Sequence, residues 1–144
     1  MDNTDTLLEV GLGFTADYSK AGGFIGKDAV VKQKDEMKAR GGLPKRLCQV
    51  LCLDPQPLMY HAEVVWRNGE RVGDIRSASY GHSLGGAVGL ALIDATLAGD
   101  AGDAVVNKKF IDEGKWEVEI AGKFYPCKVS LAPLYDPANK RIKA

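Results

Sequence analysis

Histidine is scarce in this sequence, and the scarcity excludes more than any motif asserts. Two occur among 144 residues, His61 and His82, and neither follows Ser83, the serine set in a nucleophile-like motif. Cysteine is scarce too. Cys48 and Cys52 stand four apart with no second pair, and Cys127 is alone, so zinc spacing is absent and the odd count argues against a disulfide framework. Buried free thiols in a reducing compartment, hence a cytoplasmic location, are expected. No apolar run approaches the roughly 20 residues that cross a bilayer. The opening MDNTDTLLEV has neither a basic region nor an apolar core, so no secretion signal is read there. Net charge is absent as well: 19 basic and 19 acidic residues cancel, which argues against a nucleic-acid or polybasic membrane surface.

What is present begins with length. A chain of this size forms one domain, or one domain plus a fragment of another, and buries about 70% of its extended-chain surface without metals or disulfides. Two glycine motifs invite catalytic readings. Gly81-His82-Ser83-Leu84-Gly85 fits the G-x-S-x-G elbow of serine hydrolases, which needs a later histidine as base. None follows, and no nearby lysine has a spacing that suggests a Ser-Lys pair. Gly11-x-Gly13-x-x-Ala16 formally matches a dinucleotide fingerprint, but a polar, glycine-containing loop follows where the motif requires a helix. Both stretches are better read as connections.

Taken in order, residues 1–6 are polar and expected to be loose. Lys27–Arg40 is the clearest helix, with Asp28 in its first turn, Lys38 and Arg40 in its last, and Gly41-Gly42 to stop it. Its apolar stripe, Val30 and Met37 with Ala29 beside them, is narrow, so the helix is expected on a surface. From Lys45 the period alternates. Residues 46–53 read as a strand covered on both faces, and residues 62–66 as a strand with Ala62, Val64 and Trp66 dry against His61, Glu63 and Arg67 wet. Asn68-Gly69 supplies a type I′ hairpin, with the returning strand reaching about Ser77. Residues 87–93 read as a buried strand with Val88, Leu90 and Leu92 on one face. A small-residue loop is expected over 94–103 and weakly extended chain over 104–110. Residues 115–120 alternate most cleanly, with Trp116, Val118 and Ile120 inward. Ala121-Gly122 turns the chain into a last strand, where Pro126 implies an edge or a bulge.

The pattern is a mainly β, α+β chain: a small antiparallel barrel or sandwich of about six strands, preceded by a strand-helix segment. The boundary falls between residues 1–42 and 43–144.

Several segments resemble the C-terminal part of the glycine-cleavage T-protein (aminomethyltransferase) family, most closely the branch fused to sarcosine and dimethylglycine dehydrogenases. They are Leu12-Gly13-Phe14-Thr15 with Phe24-Ile25-Gly26-Lys27-Asp28-Ala29, Arg46-Leu47, Val65-Trp66-Arg67-Asn68-Gly69 through Val72-Gly73, Tyr80-Gly81-His82-Ser83-Leu84, and Pro133-Leu134-Tyr135-Asp136-Pro137 with Asn139-Lys140-Arg141. The resemblance implies a barrel domain that helps form a tetrahydrofolate cleft for one-carbon transfer. It places the catalytic aspartate and most folate contacts in an upstream folate-binding domain or subunit. FAD would be involved only if an upstream dehydrogenase domain exists, and the compartment would be the mitochondrial matrix in a eukaryote. It also nominates residues. Phe14 stands where the family carries an aromatic near the folate, or else packs in a core. Arg46 matches an arginine at the barrel entrance, or else is a surface cation on a strand end. Arg76 stands in an altered Thr-Ser-Gly, here Arg76-Ser77-Ala78, and either faces an anionic ligand or pairs with Glu63. Two rival readings are a docking or regulatory barrel that binds no folate, and a Ser83 esterase.

Overall fold

The computed structural model describes residues 3–99 and 104–143. Residues 1 and 2, and the part of the small-residue loop from 100 to 103, lie outside the described residues. The helix expected from its end signals forms as α1 (Lys27–Arg40). Gly41 adopts φ 72°, and the chain ends the helix with a bond from Gly42 N–H to the Met37 carbonyl at 3.0 Å. None of its side chains is fully buried, in keeping with the narrow stripe. The strand expected ahead of it does not form. Residues 7–11 are turn, and Gly13–Thr15 is a short 3-10 segment. Their carbonyls are met locally or by the barrel wall, as where Leu47 N–H bonds to the Glu9 carbonyl at 2.8 Å. Thr6, expected loose, is tied to Glu9 and to the Gln33 amide at 2.8–2.9 Å.

Six strands follow: β1 (Lys45–Cys52), β2 (Val64–Arg67), β3 (Glu70–Gly81), β4 (Gly86–Asp94), β5 (Trp116–Ile120) and β6 (Lys123–Ser130). They close in the order β1-β4-β3-β2-β5-β6, antiparallel throughout. The alternation expected in β5 is realised, with Trp116 and Val118 buried and Glu117 outward. Asn68 and Gly69 (φ 53° and 86°), and Ala121 and Gly122 (φ 50° and 76°), make the two tight hairpins. The core is the barrel interior: Cys48, Val50, Cys52, Val65, Val72, Ile75, Ile93, Val118 and Val129, with Met59 buried among them.

In β2 the two faces are inverted relative to the sequence reading. Val65 is fully buried and Arg67 is 8% exposed, while Val64 and Trp66 face outward. Two apolar parities compete in Val64-Val65-Trp66, and the interior offered Arg67 a host. A helix the sequence reading missed, α2 (Lys108–Asp112), is capped by Asn107, whose Oδ1 accepts from Phe110 N–H at 2.9 Å. Arg67 Nε donates to the Phe110 carbonyl at 3.1 Å, and its guanidinium lies 4.0 Å over the Phe110 ring. Outside, Trp66 meets Phe124 edge-on at 5.5 Å and donates to Glu119 at 3.1 Å. Extended chain over 104–110 is thus limited to a bridge between Leu43 and Val106.

Two further expectations change in detail. The outer face of β1 is only partly covered, and Leu53 is 58% exposed. Val88, Leu90 and Leu92 do share a face of β4, but it is the outer one, because Ala87, Gly89 and Ala91 turn inward. Pro126 is accommodated in a closed barrel. Its carbonyl accepts from Leu53 N–H at 3.0 Å, so the residue's peptide groups face the end of β1 and no rung to β5 is lost.

Candidate functional site

Ser83 sits in the loop between β3 and β4, two antiparallel strands. Pairing runs up to Gly81 and Gly86, so β3 continues past the expected end near Ser77 and the connection is residues 82–85. Leu84 and Gly85 N–H both bond to the Gly81 carbonyl at 2.8 Å, and Gly85 takes φ 75°. The ring of His82 packs edge-on against Tyr80 at 5.1 Å. A strand-helix elbow over a parallel sheet, which the hydrolase motif requires, is not what this segment forms. Nor does Gly11-x-Gly13-x-x-Ala16 open a long helix, since α1 begins only at Lys27.

The three nominated residues fall in different places. Phe14 is 83% exposed on its 3-10 turn, so it packs into no core of this chain. Arg46, near the start of β1, is half-buried between two hollows. One, of about 250 Å³, lies by the end of α1 and the start of α2 and includes Gly42, Asn107 and Lys108. The other, of about 360 Å³, lies between the N-terminal turns and the tail and includes Leu12, Gln49 and Pro133. The Arg46 Nε has no protein partner. Arg76 sits at a bulge in β3, with its Nε 3.2 Å from Asp74 Oδ2. Pairing with Glu63, one of the two readings of Arg76, is not found. Glu63 Oε1 accepts from Tyr60 N–H at 2.8 Å.

A third hollow contains none of the three. It measures about 420 Å³ on the outer face of β3 and β4, with Ser77 and Ser79 above Val88 and Leu90, and Gln49 and Tyr135 at its sides. The tail forms one wall, held where Leu134 N–H bonds to Gln49 Oε1 at 2.8 Å. Sequence reasoning missed this feature. Its signal is the outward parity of Ser77, Ser79, Val88 and Leu90, which becomes visible only once β3 and β4 are paired.

Among the described residues no group of three histidines, cysteines or carboxylates could hold a metal ion, and no helix is long and apolar enough to cross a membrane. All three cysteines are free and buried. Burial pushes the Cys48 and Cys127 thiols up to about 12 and raises Cys52 as well.

A packed six-stranded barrel with a surface helix in front and hollows on its outer side defines a barrel domain. The family model for the glycine cleavage T-protein C-terminal barrel domain matches residues 45–136, and the chain belongs to that family. It is similar to a 4-methylaminobutanoate oxidase (formaldehyde-forming) of Paenarthrobacter nicotinovorans, with 39% identity over 141 residues, 96% of this chain and 15% of that protein. It is similar also to the mitochondrial sarcosine dehydrogenase of Mus musculus, with 32% identity over 139 residues, 96% of this chain and 14% of that protein. The solved structure of glycine cleavage system aminomethyltransferase T from Bartonella henselae matches 90% of this chain and 31% of that one, with a TM-score of 0.61 at 20% identity. This last likeness is one of fold. The chain spans about one-seventh of the length of the two relatives.

Proposed function

We propose that this chain supplies the C-terminal barrel of a tetrahydrofolate-dependent aminomethyltransferase unit, and that it forms one wall of the folate cleft for one-carbon transfer. In this reading residues 1–42 close the upstream folate-binding region and residues 43–144 are the barrel. The observation that carries it is the family match over residues 45–136 in a chain similar to sarcosine dehydrogenase. Arg46 fits the role on its own terms: a half-buried guanidinium that lines two hollows can donate to an anionic group in either. Phe14, exposed on its turn, offers an aromatic face to a neighbouring domain or to a flat ring. Arg76 is in ion-pair range of Asp74, although its Nε makes no well-aligned hydrogen bond there, so its charge is already compensated and it would contribute less. Folate, when bound, supplies the acceptor nitrogen chemistry, while these residues bind and orient. FAD belongs to this reading only where a dehydrogenase domain lies upstream. The compartment would be the cytoplasm, or the mitochondrial matrix in a eukaryote.

The test is titration of the chain with a reduced folate, alone and with the upstream domain supplied. Saturable binding that appears with that domain, and weakens in Arg46→Ala, is expected. The second reading is a docking or regulatory barrel without folate, favoured by the fact that none of the three hollows described above gathers Phe14, Arg46 and Arg76. Absence of folate binding with the upstream domain present would select it.

A further inference from the structure

The barrel closes where β1 meets β6, a seam of four register pairs from Gln49–Ser130 to Cys52–Cys127. At its last pair two cysteines stand directly opposite one another, both buried on the interior side. The next position along fixes the type of that pair. Leu53 N–H bonds to the Pro126 carbonyl at 3.0 Å, so Leu53 and Pro126 occupy a hydrogen-bonded position. In an antiparallel ladder the positions alternate, which makes Cys52–Cys127 a non-hydrogen-bonded pair, with Cα atoms typically about 4.5 Å apart. That lies within the roughly 4.4–6.8 Å a disulfide spans. Cys52 is also close enough to Cys127 to help raise its thiol. Cys48, on the same face of β1, is opposite Ala91 of β4 instead.

The same end of the seam carries an incomplete rung. A hydrogen-bonded position normally exchanges two bonds, but Pro126 has no N–H to return to Leu53, so that rung is halved. β1 ends at Cys52, and exposed chain follows. Local opening therefore begins beside the cysteine pair. In the closed barrel both thiols are held protonated by burial and are poor nucleophiles.

We infer that Cys52 and Cys127 are a latent oxidation site, a thiol pair that closes into a disulfide across the β1–β6 seam when a low-molecular-weight disulfide reaches it. The step balances without a metal or flavin. One cysteine, as thiolate, attacks a sulfur of the small disulfide and releases one small thiol, giving a mixed disulfide. The second cysteine, losing its proton to solvent, attacks the protein-side sulfur and releases the other small thiol. The protein loses two hydrogens, and the reagent is reduced to two thiols. The bond staples the seam and suppresses the opening that allowed it.

The test incubates the full chain with oxidised glutathione in native buffer, then blocks remaining thiols and measures intact mass and crosslinked peptides. The expected product is a monomer lighter by two hydrogens, with Cys52 joined to Cys127, Cys48 free and a raised melting temperature. Cys48→Ala leaves this product unchanged, whereas Cys52→Ala and Cys127→Ala each abolish it. Pro126→Val, which restores the missing donor, slows its formation several-fold. The wild-type peptide map alone decides the pairing if a cysteine variant fails to fold. A link from Cys127 to Cys48, only glutathione adducts or intermolecular dimers, or intact thiols throughout would overturn the inference. An unchanged rate in Pro126→Val would overturn the seam as the route.

Discussion

Arg67 lies flat on the ring of Phe110, its guanidinium 4.0 Å from the ring centre, and its Nε holds the Phe110 backbone carbonyl at 3.1 Å. One side chain thereby fastens α2 across the barrel end. Trp116 adds a second tie, from its Nε1 to the Ile111 carbonyl at 2.9 Å.

Replacing Arg67 with alanine removes a charge-assisted bond and a stacking contact and leaves a carbonyl without its donor. The expected cost is about 2–3 kcal/mol, with Arg67→Lys costing less because a lysine keeps the charge and a donor and loses only the planar stack. Urea denaturation measures the loss. Faster amide exchange in α2 than in β3 would show that the effect is centred there.

Gly73 is hydrogen-bonded sheet on both sides, opposite Val65 and Ile93. A Cβ at that position would meet the Leu92 carbonyl oxygen at 2.1 Å, a backbone atom that cannot swing aside. Gly73→Ala should therefore force β3 and β4 apart and cost about 2–3 kcal/mol. Chemical denaturation checks it, and a loss under about 0.5 kcal/mol would contradict the close approach.

Ala121 holds φ 50° in the β5–β6 turn, a left-handed conformation that an alanine adopts only at a cost. Ala121→Asn, which tolerates that region, should stabilise the barrel by roughly 0.5–1 kcal/mol. A higher melting temperature with unchanged strand content is the expected result.

The buried thiols set an alkaline limit. Cys48 and Cys127 are raised from 9.0 to about 12, chiefly by burial; Arg46 opposes the shift at Cys48, while Cys52 and Glu117 add to it at Cys127. A group whose folded pKa is raised contributes stability that is fully present below its unfolded pKa and lost as pH rises through the folded one. Stability should thus fall between about pH 9 and pH 12. Cys48→Ala and Cys127→Ala should each reduce that slope relative to wild type, as read from denaturation midpoints across the window.

Ser83, exposed in its loop, should not react with a fluorophosphonate probe, and Ser83→Ala should leave stability within about 0.5 kcal/mol of wild type. Labelling that disappears in the variant would revive the hydrolase reading.

Much of the architecture was legible in local pattern. The end signals of α1, the alternation of Trp116, Val118 and Ile120, and the Asn68-Gly69 turn each depend on neighbours a few residues away. The inward side of β2 was not legible, because Val64, Val65 and Trp66 are apolar on both parities. Only the Phe110 ring and carbonyl, far along the chain, made Arg67 the inward residue. For the candidate site, the resemblance nominated Arg46, while the hollow beside Ser77 and Ser79 needed the pairing of β3 with β4 and the tail laid over Gln49.

By itself the sequence determined where α1 lies and stops, which barrel strands alternate, and where the Asn68-Gly69 and Ala121-Gly122 turns fall, but not α2 or the turns that stand ahead of α1. Those properties rest on side-chain period, positive φ at turns and the residue types available. Tertiary structure alone decided that the strands close in the order β1-β4-β3-β2-β5-β6, that Arg67 is inside, and that Cys52 meets Cys127 across the seam. Register between distant strands is fixed by the joint packing of one interior, and no local pattern carries that information.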